Sequence, residues 1–253
     1  MTFTRKTTFL TALLVTLSMF LTACGGGGNG QETTQQSEDV STPTETGSVE
    51  YMANFDGEQP ERARHDASGN PECGVDTVMG QEIVVNDNQS LRDAILAVQN
   101  GPSGLDAPAE EVVIDQKNCR YQPHVNTVKA GQTVTITDKD PKMHNVRASR
   151  PESGEQLFNE TTFQGDELEK TFDEPGLVKL ECDIHPWMES WVYVTEHGRA
   201  AVTGEDGKAT LEDLPTGDYD LEVWHEEFDA KTHSATVEKD QTVSLEDTFQ
   251  AES

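Results

Sequence analysis

The chain has 253 residues, with 47 acidic side chains against 18 basic ones and a formal net charge of −29. Hydrophobic residues make up 34% and aromatics 6%. That is scarce material for one large core, so one or two domains with apolar residues gathered in short alternating strands are expected. The charge argues against recognition of DNA or RNA, whose phosphates would be repelled, and against docking on anionic lipid through a basic patch.

The first 23 residues differ from the rest. Arg5 and Lys6 precede an apolar run from Phe9 to Ala23, and Cys24 follows Leu21-Thr22-Ala23. A charged start, an apolar stretch and small residues before a cut point describe a secretory signal, and the run is short for a membrane-spanning helix. Leu-Thr-Ala-Cys resembles the lipobox of bacterial lipoproteins. The resemblance implies cleavage before Cys24, lipidation of its sulfur and, with Gly25 next, anchoring at the outer membrane of an exported protein in the periplasm or at the cell surface. An ordinary signal peptide that ends near a cysteine is the alternative. Loss of residues 1–23 removes Arg5 and Lys6 and no acid, which takes the charge from −29 to −31. Acids run along the whole chain rather than in one cluster, as a soluble, self-repelling surface requires. Attraction to a basic redox partner is the more specific alternative.

Residues 24–47 are Gly, Gln, Thr, Ser, Glu and Pro without apolar periodicity, the composition of a tether. In 48–108, Ser48–Met52 and Glu82–Val85 predict short strands, Leu91–Val98 fits strand or helix, and Gly101-Pro-Ser-Gly is a break. Whether this segment is a domain or supplies extra strands to its neighbours is open. From 109 to 195 the pattern is β: Val112–Ile114, Val125–Val128, Val134–Thr137, Leu177–Cys182 and Trp191–Val194, divided by turns at Lys129-Ala-Gly and Asp138-Lys-Asp-Pro. Such short, evenly spaced strands predict a sandwich or barrel. In 196–250, Ala201–Leu211 predicts a hairpin turning at Asp206-Gly207, followed by strands at Leu214–Trp224 and Thr242–Leu245. Leu214-Pro-Thr-Gly-Asp-Tyr resembles the prealbumin-like, carboxypeptidase regulatory-like module, which implies a small β-sandwich without chemistry of its own.

The chemistry lies in Cys182-Asp-Ile-His185-Pro-Trp-Met188, which places a thiolate, an imidazole and a thioether within seven residues. These soft and borderline ligands suit copper, and Met143-His144-Asn145 upstream offers the second imidazole of a His₂Cys site with a weak axial sulfur. A His-Asn pair followed by C-x2-H-x2-M resembles the cupredoxins, the blue copper proteins, with a loop spacing most like amicyanin. The resemblance implies an all-β fold, a Greek-key cupredoxin sandwich followed by the small prealbumin-like one. It implies one mononuclear type 1 copper on His144, Cys182 and His185 with Met188 axial, and Asn145 tying the two ligand segments together. Trp187 would shield the metal or join an apolar contact patch. His185, in what is an exposed loop in cupredoxins, would pass single electrons to a c-type cytochrome or a periplasmic oxidoreductase. Contact with membrane would be through the lipid alone, and the protein a monomer. Glu181 and Asp183 flank Cys182 where multicopper enzymes carry a histidine, so no second copper and no enzyme is expected. With Cys24 lipidated and Cys182 on the metal, Cys73 and Cys119 remain, and in an oxidising compartment a disulfide is the economical assignment. A zinc site from Cys119, His124, Cys182 and His185 is the rival grouping. A copper-delivery protein and a structural surface module are the rival functions.

Overall fold

The computed structural model describes residues 45–107 and 110–251, so Cys24, the signal and most of the tether lie outside the described residues. Residues 45–107 contain β1 (Thr46–Phe55), β2 (Arg64–Asp66), β3 (Thr77–Met79) and β4 (Ile95–Asn100). Residues 110–195 contain β5 (Val112–Gln116), β6 (Tyr121–Gln122), β7 (Val125–Lys129), β8 (Thr133–Asp138) and β9 (His144–Arg150). In the same stretch follow β10 (Glu155–Thr162), β11 (Glu167–Thr171), β12 (Gly176–Glu181) and β13 (Glu189–Thr195). The remainder forms β14 (Ala200–Val202), β15 (Lys208–Pro215), β16 (Gly217–His225), β17 (Phe228–Val237) and β18 (Thr242–Phe249). The fold is all-β: among the described residues the one helical element is a single 3₁₀ turn at Pro71–Cys73.

Two sheets in the orders β10-β9-β12-β13-β7 and β11-β8-β5-β6 face each other across 110–195. Ile114, Val134, Ile136, Val146, Val178, Leu180 and Val192 fill the space between them. Most alternate with outward polar neighbours, as strands with one face on a core do. Val192 instead lies between Trp191 and Tyr193, which pack into a separate apolar cluster with Ile95 and Ala97. Cys182 and Met188 belong to this same apolar cluster, so the strand that builds the core also delivers the sulfur to one end of it.

A second sandwich, with orders β15-β1-β18 and β14-β4-β16-β17, draws its strands from both sides of the first. Strand β1 pairs antiparallel with β15 and parallel with β18, and β4 pairs antiparallel with β14 and β16. The open question about 48–108 thus resolves into extra strands: β1 and β4 sit in sheets completed by residues 196–251. The chain leaves this sandwich after β4, builds the whole first sandwich, and re-enters at β14.

That connectivity accounts for two departures from the sequence reading. Gly204–Lys208 does form a tight turn, with Gly207 at φ +76° and its amide donating to Gly204 O (3.0 Å). A Cβ on Gly207 would stand 2.2 Å from Ser90 Cβ, so only glycine fits. The flanking strands are not a hairpin, however: β14 pairs with β4 and β15 with β1, and the turn carries the chain from one sheet to the other. Glu82–Val85 forms no strand beyond an isolated bridge from Val85 to Leu91. Of the ambiguous Leu91–Val98 run, Ile95–Val98 enters β4, and the unbroken apolarity of that part has a physical cause. Leu96 and Val98 enter the core of the second sandwich, while Ile95 and Ala97 face Val125, Tyr193 and Trp191 of the first.

The seam between the sandwiches also holds a buried polar lock. His124, just before β7, meets Glu226 through Nε2, and Trp191 Nε1 donates to the other oxygen of Glu226 at 2.7 Å. Trp224 stacks edge-on against Trp191, ring centres 5.3 Å apart. Trp224 and Glu226 thus tie the two sandwiches together, and His124 is held by a carboxylate rather than by a metal.

Candidate metal centre

Three of the predicted ligands converge at the end of the first sandwich. His144 opens β9, Cys182 directly follows β12, and Cys182 N–H donates to Met188 O (3.1 Å) while Met188 N–H donates to His185 O (2.9 Å). These two bonds fold the Asp183–Trp187 loop into a tight return, which brings His185 back over Cys182. The Cys182 sulfur lies 4.0 Å from His144 Nδ1 and 3.8 Å from His185 Nδ1, and the two Nδ1 atoms are 3.1 Å apart. A trigonal ion with bonds of about 2.0 Å to nitrogen and about 2.3 Å to sulfur needs edges of roughly 3.5 and 3.7 Å. The observed triangle fits one such ion. Met188 is fully buried and belongs to the same apolar cluster as Cys182.

The surrounding bonds set the tautomers. His144 Nε2 lies 3.0 Å from Asp140 Oδ2. Donating that N–H to the carboxylate leaves the Nδ1 lone pair aimed at the triangle, the arrangement that orients a metal-binding imidazole. Asp140 is itself fixed by the backbone N–H groups of Asn118 (2.7 Å) and Cys119 (2.8 Å). Burial alone would lower the His144 pKa, but Asp140 and Cys182 outweigh it and hold it near 9, so at neutral pH a metal must displace the Nδ1 proton to use that lone pair. Burial alone would raise the Cys182 thiol, and the two imidazoles bring it down to about 6, so a thiolate is available at neutral pH.

Asn145 joins the ligand-bearing segments. Its Oδ1 accepts Asp183 N–H (2.8 Å) and lies 3.5 Å from Cys182 Sγ, and its Nδ2 donates to Asn159 and Asp183. Two residues absent from the sequence reading do similar work. Tyr121 OH donates to Asn145 O (3.1 Å) and lies within 3.3 Å of Glu181 O, strapping β9 to β12. Asp140 was visible only as part of a turn, although an acid four residues before a ligand histidine is the signal that would have found it.

No family model matches the chain. Amicyanin of Paracoccus versutus is 30% identical to it over 105 residues, which are 41% of this chain and 80% of amicyanin. The chain belongs to the cupredoxin family. Among solved structures, a purple cupredoxin from Nitrosopumilus maritimus is 29% identical, covering 34% of this chain and 100% of that one, with a TM-score of 0.31. Crystalline amicyanin from Paracoccus versutus is 26% identical over 40% of this chain and 97% of its own, with a TM-score of 0.32. A copper-containing nitrite reductase from Thermus scotoductus is 21% identical over 36% of this chain and 23% of its own, TM-score 0.32.

In this cupredoxin His185 is not exposed, contrary to the expectation for its loop. Its accessible surface is 0%, and its Nε2 edge is covered from two sides. Trp187 stands 5.5 Å away, ring centre to ring centre, and donates its Nε1–H to Cys119 O (3.1 Å). Cys119 Sγ lies 3.9 Å from His185 Nε2 and is bonded to Cys73, with the two Cα atoms 5.2 Å apart. The β2–β3 segment thereby lies over the histidine, with His65 stacked on Trp187 (5.9 Å) and Asn118 Nδ2 donating to Cys73 O (3.0 Å). Cys119 is therefore committed to a disulfide and His124 is bound to Glu226, so the zinc grouping loses two of its four members.

Proposed function

We propose that His144, Cys182, His185 and Met188 hold one type 1 copper ion and that the protein carries single electrons for a redox partner. The observation that supports this best is the buried triangle of one cysteine sulfur and two Nδ1 atoms, with a thioether in the same apolar cluster as the sulfur. A thiolate with two imidazoles and a distant thioether is the donor set of electron-transfer copper. Bound there, the ion would supply a one-electron couple. The protein's part is to keep the donors fixed through Asp140, Asn145 and Tyr121, so that little rearranges when the charge changes. With three donors and Met188 around the ion, no position is left for a substrate, so we read the protein as a carrier and not an enzyme. Burial of all three donors also weighs against delivery of copper to a partner, since the ion would have no open path out.

With His185 covered, the exposed apolar side chains that border the donors in sequence and register are Met143, Phe163 and Ile184. Thr162 pairs with His144, which sets Phe163 beside Met143. This rim, with acidic residues around it, is our proposed contact for a redox protein partner such as a c-type cytochrome, in a small and short-lived encounter. We further propose that residues 1–23 are a signal, that Cys24 carries the lipid, and that the protein works outside the cytoplasm at a membrane surface. The metal sandwich would then be a module inserted into a tethered prealbumin-like one.

Copper titration of the protein with visible spectroscopy tests the central reading. One equivalent should raise an intense thiolate-to-copper band that ascorbate bleaches and that Cys182→Ala lacks. A colourless protein that takes up one zinc in preference would end the proposal. Asp140→Asn should weaken copper affinity by about 10–100-fold. Three N–H donors converge on this carboxylate, so the amide NH₂ of asparagine must face one of them. A competition titration showing unchanged affinity would mean that Asp140 does not orient His144.

A further inference from the structure

Carboxylates outnumber cations here by 47 to 18, so an arginine that finds no acid calls for an explanation. Three arginines line one cavity of about 560 Å³, where the β2–β3 segment, the second sandwich and the metal sandwich meet. Arg62 comes from the first of these, Arg92 from the second and Arg120, directly after disulfide-bonded Cys119, from the third. Among the described residues the Arg120 side chain makes no hydrogen bond or ion pair, and its Nε is buried without a partner. Arg92 Nε is likewise buried and unpartnered, while its Nη1 reaches only an exposed Glu205 at 3.7 Å. Arg62 donates through Nε to Gly80 O (2.7 Å), and this backbone contact is its sole recorded bond among the described residues.

Leaving the Nε donors of Arg92 and Arg120 buried and unpaired is unfavourable, and gathering three half-buried cations makes it more so. Burial, and then the charge of Arg62, push Arg120 below the ordinary arginine range. Two acids stand near and neither settles the account. Glu226 is taken by His124 and Trp191. Asp93 lines the cavity, but its own burial pushes its pKa up against the opposing pull of His124, Arg92 and Arg62, and it forms no hydrogen bond or ion pair with any of the three arginines. Gln81 and Gln122 add neutral amide donors to the wall.

We propose that this cavity binds a tetrahedral oxyanion, phosphate or sulfate, either free or carried on a small molecule. Guanidinium forks match the oxygens of such groups with paired, charge-assisted hydrogen bonds. A carboxylate has two oxygens and is satisfied by two forks, whereas three forks suit the three or four oxygens of phosphate or sulfate. The volume is in the range of small-molecule sites. A bound anion would bridge the three parts of the fold beside the disulfide that covers His185, so it would stabilise their arrangement as well as occupy the cavity.

The test is calorimetric titration of the full chain with sodium phosphate and, separately, with sodium sulfate, each at constant ionic strength set by chloride. Saturable binding at one site is expected, with a rise in thermal midpoint as the anion is added. Arg120→Gln and Arg62→Gln should each weaken it by about tenfold or more. Their circular dichroism and midpoint in chloride serve as the check on folding; should Arg120→Gln fail to fold, Arg62→Gln and Arg92→Gln carry the test. Tighter phosphate than sulfate, or the reverse, identifies the source. Any of four results overturns the proposal: heats that never saturate, equal stabilisation by chloride alone, glutamine variants with undiminished affinity, or citrate bound as tightly as either tetrahedral ion.

Discussion

Replacing Cys73 and Cys119 together by serine should lower stability by about 2–4 kcal/mol and expose His185. The bridge joins residues separated by 46 positions in sequence, so breaking it frees a long loop in the unfolded chain. The segment it secures has few other anchors. Strands β2 and β3 pair only with each other, and Ala67, Cys73 and Val78 are the apolar side chains buried between Pro60 and Gly80. Without the bridge this segment should open well before the sandwiches unfold, since local stability follows local burial. Two measurements check this. Denaturant unfolding gives the global change, and hydrogen exchange of residues 64–79, with modification of His185 by a histidine reagent, gives the local one. If exchange and His185 reactivity stay at wild-type levels in the double variant, the cover is held by Trp187 and packing, not by the disulfide. If they rise, electron exchange through His185 should quicken as well, because the edge of the ligand ring would meet solvent and partner.

The outcome at His185 shows where sequence reasoning reaches and where it stops. The convergence of His144, Cys182 and His185 was legible because ligand identity, order and spacing are local properties of two short segments, and β-alternation placed both at strand ends. The covering of His185 was legible only in part: Trp187 was a candidate shield, but the rest depends on residues 64–79, more than a hundred positions away, whose sequence has no periodicity to betray a role. The second sandwich follows the same logic. Tyr219, Leu221 and Val223 announce their strand by alternation, but nothing within residues 196–250 reveals that two strands are missing and are supplied by β1 and β4. Strands β10 and β11 escaped notice because they are sheet edges with little burial. Their outward Glu, Gln, Thr and Lys side chains show no apolar alternation, although Lys170 pairs with Glu160 across the two strands and Thr162 with Gln116. Polar edges of this kind discourage pairing with other chains. The Leu91–Val98 run was ambiguous for the opposite reason: with both faces covered, β4 has no polar side to alternate with.

Removing the carboxylate of Glu226 should separate the two sandwiches energetically, and the effect should depend on pH. Its side chain and that of His124 are 4% and 2% exposed, and Trp191 Nε1 uses the second oxygen. Glu226→Ala leaves His124 Nε2 and the buried indole N–H of Trp191 without partners, while His124 Nδ1 keeps Glu189 O (3.2 Å), at a cost of about 3–5 kcal/mol. Glu226→Gln keeps an acceptor and removes the charge, so it isolates the electrostatic part. Burial alone would lower the His124 pKa, but the hydrogen bond and charge of Glu226, with Asp93 and Glu189 behind them, outweigh it and raise it above the ordinary 6.5. A histidine raised on folding contributes stability that is complete below its unfolded value and is lost as pH climbs through its folded value. The stability difference between wild type and Glu226→Gln should therefore be widest below about pH 6 and shrink on the alkaline side. His144 and the other groups that do not sense Glu226 cancel in the difference. Asp93 and Glu227, which burial and then the charge of Glu226 push upward, add a smaller change confined to the carboxylate range. Denaturant unfolding of the pair across this range decides the matter. A gap that is flat, or that widens as pH rises, would mean His124 is neutral in the folded protein and the seam is held by Trp191, Trp224 and β4 alone.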